Sequence, residues 1–228
     1  MTAPSDPEFV ADAPTRPSGV VVALVSVIGI AALLIFGAGG YVLGQRTSGK
    51  TLPSVTSVDA GFAYDMSVHH LQAVTMAGYT RDHTTDGVIK ELAYDIETSQ
   101  FNQVGQFQGW IDTWKLPVNN PNPLMAWMAG SGHVHLSSTG LMPGMITQTQ
   151  LNHLETLTGK ALDIDFLQLM LYHHQGGLPM AQWAATHASE PYVRLAAQKM
   201  ATAQAQEIVQ MEQDLRQRGA SPLPPPES

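Results

Sequence analysis

Apolar residues recur at helical spacing in four long stretches of the chain. None of these stretches alternates between apolar and polar residues over enough positions to indicate a strand. The pattern therefore predicts an all-α domain in which four helices form two hairpins. The helices are expected at about 58 to 80, 87 to 114, 162 to 187 and 190 to 218.

The predicted domain covers residues 58–218, with hairpins at 58–115 and 162–218 and a long connector at 116–161. A connector of this length with little structure of its own is often functional. It contains the sequence Met-Pro-Gly-Met at 142–145. The residues that follow the domain, 219–228, are rich in proline and are expected to be disordered.

Several residues mark the ends and bends of the predicted helices. Thr147 and Gln150 form a capping-box pattern, which predicts a short helix before the second hairpin. Ser189 is expected to cap the last helix, where Pro191 is tolerated in the first turn. Pro179 lies inside a predicted helix and is expected to bend it, because proline removes a backbone N–H.

An apolar segment precedes the domain. Residues 19–44 contain no charged side chain. A helix of this length spans about 30 Å of hydrocarbon. We predict one transmembrane helix here, after a disordered tail at 1–18 and before a linker at 45–57. The alternative interpretation is a cleaved signal peptide, since Ala38-Gly39-Gly40 offers small residues for a peptidase.

The orientation of this helix is predicted on weaker grounds than its position. Arg16 precedes it, whereas Arg46 and Lys50 follow it, and this count taken alone favours a cytoplasmic domain. The difference is a single charge, and a cysteine-free domain that carries Met and His suits an oxidising exterior. We therefore expect a single-pass protein of the cell membrane whose C-terminal domain is extracytoplasmic.

Composition excludes several functional classes. The formal net charge is −8, and the chain after residue 50 carries 8 Lys and Arg against 16 Asp and Glu, so nucleic acid is not an expected partner. The absence of cysteine excludes disulfides and thiolate metal sites. Any soft-metal chemistry must therefore use the 11 Met and 9 His.

The two hairpins are copies of one pattern. A shift of 104 residues lays the first hairpin on the second, so that Met-x-x-His-His-x-x-x-x-x-Met-Ala occurs twice. One His-His pair would mean little, but the same pair in the same frame twice indicates an internal duplication. The matched residues are Asp59 and Asp163, Phe62 and Phe166, Met66 and Met170, His69-His70 and His173-His174, Met76-Ala77 and Met180-Ala181, Ile96 and Met200, Gln100 and Gln204, and Gln103 and Glu207.

The repeated Met and His residues share one helix face in each copy. At about 100° per residue they fall within an arc of about 120°, the width of a face that packs against a core. Ala73 and Gly177 are small residues on these faces and leave room opposite the His pairs. The face in the first copy holds Met66, His69, His70 and Met76, and in the second Met170, His173, His174 and Met180.

Two interpretations of these faces remain open. Methionine fills irregular cores, and buried imidazoles can be satisfied by Gln100, Gln204, Glu207 and backbone carbonyls. The other interpretation is a metal site, and thioether with imidazole favours copper, particularly Cu(I), with zinc as the nearest rival. A di-iron site is excluded because the chain contains no Glu-x-x-His motif.

The remaining histidines are expected to have other roles. His133 and His135 lie on a flexible part of the connector and are interpreted as solvated or as an accessory entry site. His83, His153 and His187 lie in or near loops and short helices and are interpreted as structural.

These motifs resemble the bacterial family of domain of unknown function 305 (DUF305), over nearly all of residues 58–218. The resemblance rests on the doubled Met/His-His/Met-Ala frame and on Met-Pro-Gly-Met. It implies a ferritin-like four-helix bundle, export across the cytoplasmic membrane and, for some members, copper binding. The ligand candidates that it implies are Met66, His69, His70, Met76, Met145, Met170, His173, His174 and Met180.

The sequence favours a membrane-anchored, extracytoplasmic protein that binds copper and either buffers it or delivers it to an acceptor. The alternative is a non-catalytic accessory subunit of a membrane protein complex, with a His/Met core that is purely structural. An enzyme is not expected, because the sequence shows no acid/base dyad, no nucleophile with an orienting base and no cofactor loop.

Overall fold

The computed structural model describes residues 51–132 and 136–226. Several of its helices start at a residue whose side chain caps the first turn. Ser57 accepts a hydrogen bond from the Ala60 N–H, and Asp86 accepts one from Val88. These bonds satisfy N–H groups that the first turn of a helix leaves without a partner. The long helices are α1 (Val58–His83), α2 (Gly87–Thr113), α4 (Gly159–His187) and α5 (Pro191–Gln217), and the short elements are a 3₁₀ turn (Ala126–Met128) and α3 (Gln148–Leu154).

The described residues form α-helices and no strand, so the prediction of an all-α domain is confirmed. Every long helix begins and ends within about three residues of its predicted bounds. The capping box of Thr147 and Gln150 is present, and Pro179 lies inside α4. The prediction that Ser189 caps the last helix is wrong, because the cap residue is Glu190 and its side chain makes no capping hydrogen bond.

The helices pack as two hairpins joined through their first helices. Helix α1 packs against α2, α4 packs against α5, and α1 also packs against α4. The buried apolar residues form two clusters. Cluster 1 contains Phe62, Phe107 and Trp127, whereas cluster 2 contains Ile89 and Phe166. The described residues from 52 onward form one compact unit.

Two buried carboxylates tie each hairpin to the turn of the other. Asp59, at the start of α1, accepts hydrogen bonds from the backbone N–H groups of Ser189 at 2.9 Å and Glu190 at 2.8 Å. Asp163, its repeat partner on α4, accepts one from the Thr84 hydroxyl at 2.5 Å. Each helix start therefore meets the far end of the other hairpin's first helix, so α1 and α4 run antiparallel. Asp59 takes the place of a cap for α5 by accepting the N–H groups of its cap residue, Glu190, and of Ser189 before it.

The other predictions concern the two ends of the chain. Within residues 51–132 and 136–226, no helix is both long and apolar enough to cross a membrane. The predicted transmembrane helix at 19–44 lies outside the described residues, as does the tail at 1–18. After Gly219 the chain has no helix or strand up to residue 226, yet Ala220 and Leu223 pack against cluster 2.

Replacing Asp59 with Ala should lower the free energy of unfolding by about 2 kcal/mol, because two buried backbone N–H groups lose a charged acceptor. Asp163→Ala is the matched control and should cost about half as much, since Asp163 accepts one hydroxyl bond. Urea denaturation followed by circular dichroism measures both losses. Equal losses in the two variants would show that Asp59 does not cap α5.

Candidate metal site

Four histidines lie fully buried where α1 and α4 cross. His69 and His70 are on α1 and His173 and His174 are on α4, and none of the four exposes any surface. Their inward orientation follows from the helical spacing of the sequence. We call these four side chains the histidine layer. Burying an imidazole lowers stability unless its nitrogens are hydrogen-bonded or bind a metal. The partners of each nitrogen therefore determine whether the layer can bind a metal.

His69 and His173, which occupy the same repeat position, are in contact. Their ring centroids lie 3.8 Å apart with an angle of 42° between the ring planes. The small residue Gly177 makes room for this contact, since a Cβ atom there would lie 2.9 Å from His69 Cε1. The duplication therefore brings two equivalent imidazoles together at the centre of the domain.

The outer histidine of each pair bonds to the second helix of its own hairpin. His70 Nε2 lies 2.7 Å from Gln103 Oε1, and His174 Nε2 lies 2.7 Å from Glu207 Oε2. Gln103 and Glu207 occupy the same repeat position. The two copies thus share one geometry but differ in chemistry, because one acceptor is an amide and the other a carboxylate.

This difference changes what each outer histidine can bind. His174 Nδ1 also lies 3.0 Å from the Met170 carbonyl, so both of its nitrogens face oxygen atoms and neither offers a free lone pair. His70 donates from Nε2 to Gln103, which leaves its buried Nδ1 as a lone pair without a partner. His70 is therefore the better placed of the two to bind a metal ion.

Several buried polar atoms of this layer have no hydrogen-bond partner. Such atoms are rare in folded proteins, and each marks a missing water, ion or ligand. Gln100 and Gln204, another pair of repeat positions, are 4% and 2% exposed and contribute to the set. The unpartnered atoms are His69 Nδ1, His70 Nδ1, both nitrogens of His173, Gln100 Oε1, and Oε1 and Nε2 of Gln204.

Burial keeps three of these imidazoles neutral. The pKa of His69 is lowered to about 4, mainly by burial, and the pKa of His70 is lowered to about 3 by burial together with repulsion from His69. Burial also lowers the pKa of His173 well below its ordinary value, with repulsion from His69 as the next cause. Neutral imidazole is the form that binds a metal, so all three rings are in that form at pH 7.

The thioethers predicted as ligands lie on both sides of the histidine layer. Met66 and Met180 belong to cluster 1, whereas Met76 and Met170 belong to cluster 2. Each cluster therefore joins one methionine from each copy, as the antiparallel packing of α1 and α4 requires. Met145 is half-buried and packs against cluster 1. The structure thus brings all nine predicted residues to the two central helices and the connector beside them.

The connector reaches the layer through a tight turn at 142–146. His69 Nε2 donates to the Pro143 carbonyl at 3.1 Å. The backbone of this turn rests directly on α4: a Cβ atom at Gly176 would lie 2.2 Å from the Pro143 carbonyl carbon, and one at Gly144 would lie 2.6 Å from the His173 carbonyl oxygen. Gly144 also has φ +80°, a conformation that favours glycine.

One repeat position holds the turn in two different ways. On α1 it is Gln72, whose amide donates to the Ile146 carbonyl at 2.9 Å and accepts from the Ile146 N–H at 2.8 Å. On α4 it is Gly176, which lets the turn approach. Gln72, Gly176 and Met142, which is buried in cluster 1, are not among the residues predicted from the sequence. Position 72/176 could have been noticed as one where a long polar side chain in one copy is matched by glycine in the other.

The other histidines lie away from the layer or outside the described residues. His83 stacks on Tyr79 at 4.0 Å and His187 stacks on Trp183 at 3.6 Å, each on its own helix. His133 and His135 lie outside the described residues. In the part of the chain that the structure describes, no three His, Cys, Asp or Glu side chains are grouped so as to hold a metal ion.

The fold and the buried histidine layer define a class of all-α proteins made of a repeated helical hairpin with paired His and Met residues. The chain belongs to the DUF305 family, a domain of unknown function, whose model matches residues 59–215. This finding confirms the resemblance that the motifs predict. No curated protein matches the chain.

Solved structures of the family share this fold. A Streptomyces coelicolor protein, described as a secreted DUF305 protein, is 40% identical over 75% of this chain and 99% of its own, with a TM-score of 0.69. A Deinococcus radiodurans DUF305 fragment is 28% identical over 72% of this chain and 99% of its own, with a TM-score of 0.59. CopM in its Cu(I)-bound form is 23% identical over 70% of this chain and 96% of its own, with a TM-score of 0.54, and this likeness concerns the fold alone.

The metal-free protein should lose stability as the pH falls from about 6.5 to about 4. A histidine whose pKa is lowered by folding binds its proton mainly in the unfolded chain within this range, so lower pH favours unfolding. His70→Gln should flatten this dependence, whereas His83→Gln, which alters an exposed ring, should leave it unchanged. Urea denaturation at a series of pH values measures the slopes.

The comparison with wild type is needed because some buried carboxyls contribute with the opposite sign. Burial raises the pKa of Asp65, for example, so this group binds protons more readily in the folded state. The contribution of Asp65 is the same in wild type and in His70→Gln, so it cancels when the two slopes are subtracted. A His70→Gln slope equal to the wild-type slope would contradict the pKa shift of His70.

Proposed function

We propose that this protein binds Cu(I) between α1 and α4 and buffers the ion or hands it on without catalytic turnover. The observation that carries the proposal is the set of unpartnered nitrogens on His69, His70 and His173, fully buried and flanked by thioethers. An apolar core would leave these nitrogens at a cost in stability, whereas a bound ion replaces the missing hydrogen bonds.

His69 and His173 are the central ligand candidates because their rings are already in contact. The hydrogen bond from His69 Nε2 to the Pro143 carbonyl fixes the proton on Nε2, so Nδ1 is the atom left for the metal. Such a partner on the far nitrogen is the usual way in which proteins orient a metal-binding histidine. Thioether ligands would come from Met66 and Met180 on one side or from Met76 and Met170 on the other.

The donor types favour Cu(I) over other ions. Neutral imidazole and thioether are soft ligands, and the layer offers no thiolate and no cluster of carboxylates. Zinc is the nearest alternative, since histidine alone binds it well. CopM, which shares the fold, has been solved in Cu(I)-bound and Cu(II)-bound forms, and this agrees with the proposal.

We also propose that residues 19–44 anchor the chain in the cell membrane with the helical domain on the extracytoplasmic side. The proposal is supported by the charge-free apolar segment before the domain. The description of the Streptomyces coelicolor protein as secreted agrees with an exported domain. We further propose that the helical domain is a ferritin-like four-helix bundle, as the family resemblance implies.

A second function is favoured by the hydrogen bonds of the outer histidines. His70 and His174 find partners in Gln103 and Glu207 within their own hairpins. If water satisfies the remaining atoms, the layer is structural and the protein is a non-catalytic accessory subunit of a membrane complex. The two functions differ in whether the His69 and His173 rings are needed for copper binding.

The purified full-length chain should bind at least one Cu(I) per molecule at micromolar concentrations under reducing conditions. His69→Gln/His173→Gln should weaken binding by more than about tenfold, because both central nitrogen ligands are lost. Competition with a chromogenic Cu(I) chelator measures the affinity. The same titration with Zn(II) ranks the two metals.

The matched control is His83→Gln/His187→Gln, which removes two histidines that stack on the surface of their own helices. It should bind Cu(I) as wild type does. If the wild-type chain, at micromolar concentration, takes no Cu(I) from the chelator, the copper proposal is refuted. Equal affinity in both double variants would favour the structural role of the layer.

Membrane anchoring should be visible in cells that make the full-length chain. The protein should stay in the membrane fraction after carbonate extraction, and external protease should digest the helical domain in cells whose outer layers have been removed. A chain without residues 1–50 should be found in the soluble fraction. Protection of the domain from external protease would show that the orientation is reversed.

A further inference from the structure

A pocket of about 420 Å³ opens beside the histidine layer, on the outer side of the turn at 142–146. Its lining includes Met142, Pro143 and Met145 from the turn and Tyr172 from α4. The opposite wall is formed by residues 223–225 near the end of the chain. Met145 is half-buried and borders this space, and Met142 also lines it, although its side chain is 1% exposed.

The chemistry of this pocket selects soft cations. None of the described residues that line it is charged, so they offer no electrostatic attraction to hard, strongly hydrated ions. Thioether sulfur binds Cu(I) without needing to lose a proton. Met145, which is half-buried, is therefore suited to meet Cu(I) from solution, and Met142 offers a second, buried thioether in the same pocket wall.

The turn links the pocket directly to the buried ligands. Pro143 lies between the two methionines in sequence, and its carbonyl accepts the hydrogen bond from His69 Nε2. Gln72 holds the end of the turn through two hydrogen bonds to Ile146. The turn thus has the pocket on one side and His69, with its unpartnered Nδ1, on the other.

The end of the chain covers this pocket. Gln168 on α4 donates to the Ser221 carbonyl at 2.6 Å, and Leu223 packs against cluster 2. This segment follows residue 215, where the match to the family ends.

We propose that the pocket is the entry site for Cu(I), with Met142 and Met145 as its first ligands and residues 220–226 as its cover. The inference rests on the proposed function, since it supplies the route to the histidine layer. It assigns Met142 and Met145 to uptake rather than to storage. It also gives the proline-rich end of the chain a role in controlling access.

The test is the rate at which the metal-free, full-length chain takes Cu(I) from a coloured chelator complex, followed by stopped-flow absorbance at several protein concentrations. Met142→Leu/Met145→Leu keeps the apolar volume and removes both sulfurs. It should take up Cu(I) at least about tenfold more slowly than wild type, with the same amount bound tightly at equilibrium. The matched control, Met128→Leu/Met211→Leu, removes two fully buried thioethers outside the pocket and should behave as wild type.

A second variant tests the cover without altering the sulfurs. Gln168→Ala removes the hydrogen bond that holds Ser221 and should make uptake faster. An unchanged rate in Gln168→Ala would overturn the role of residues 220–226 as the cover, and with it the proposal as stated, whether or not the double methionine variant folds. Circular dichroism and thermal unfolding identify a variant that does not fold.

The remaining outcomes separate this inference from the proposed function. A wild-type rate in Met142→Leu/Met145→Leu would overturn the entry site while copper binding stands. Loss of tightly bound Cu(I) in that variant would show that the two methionines belong to the storage site, which also overturns the inference. Absence of Cu(I) binding by wild type would overturn both proposals.

Discussion

The contact between His69 and His173 is the constraint on which the rest of the domain depends. Two imidazoles whose centroids lie 3.8 Å apart in a fully buried position leave no room for a large side chain between α1 and α4. Gly177 satisfies this requirement on α4. The polar layer also divides the core, so the apolar residues form one cluster at each end of the bundle rather than a continuous interior.

The connector depends on the same crossing point. A long segment between two hairpins would ordinarily run over the surface, yet residues 142–146 lie against α4 at backbone contact. That approach requires glycine on both sides, at 144 and 176, because a Cβ atom at either position would overlap the facing backbone. In return, a connector carbonyl becomes the partner of a buried histidine. The histidine layer and the turn at 142–146 are therefore one packed unit.

The sequence predicted the helices and the inward faces well because both follow from periodicity. Apolar spacing located the four long helices, and the 104-residue repeat identified the histidines that the structure buries. It also paired Gln103 with Glu207 by position, although it could not show that each bonds to the outer histidine of its own copy. Helical periodicity fixes which face a residue occupies and says nothing about which residue of another helix lies opposite.

What the sequence did not predict depends on contacts between distant segments. The cap of α5 comes from Asp59, which is 131 positions before Glu190, so no local pattern could indicate it. The place of the turn beside His69 depends on Gly176 and Gln72, which are unremarkable as single residues. Met142 was missed for the same reason. Only the packed structure shows that its pocket lies next to the histidines.

The exchange of buried carboxylates between the hairpins has a consequence for how such a protein arises. Asp59 completes the turn of the second hairpin and Asp163 bonds to the turn of the first, so each half supplies what the other lacks. A single hairpin with this sequence pattern would satisfy the same groups by pairing with an identical chain around a two-fold axis. Fusion of the two genes would then free each half to vary alone, as the amide at 103 and the carboxylate at 207 have done.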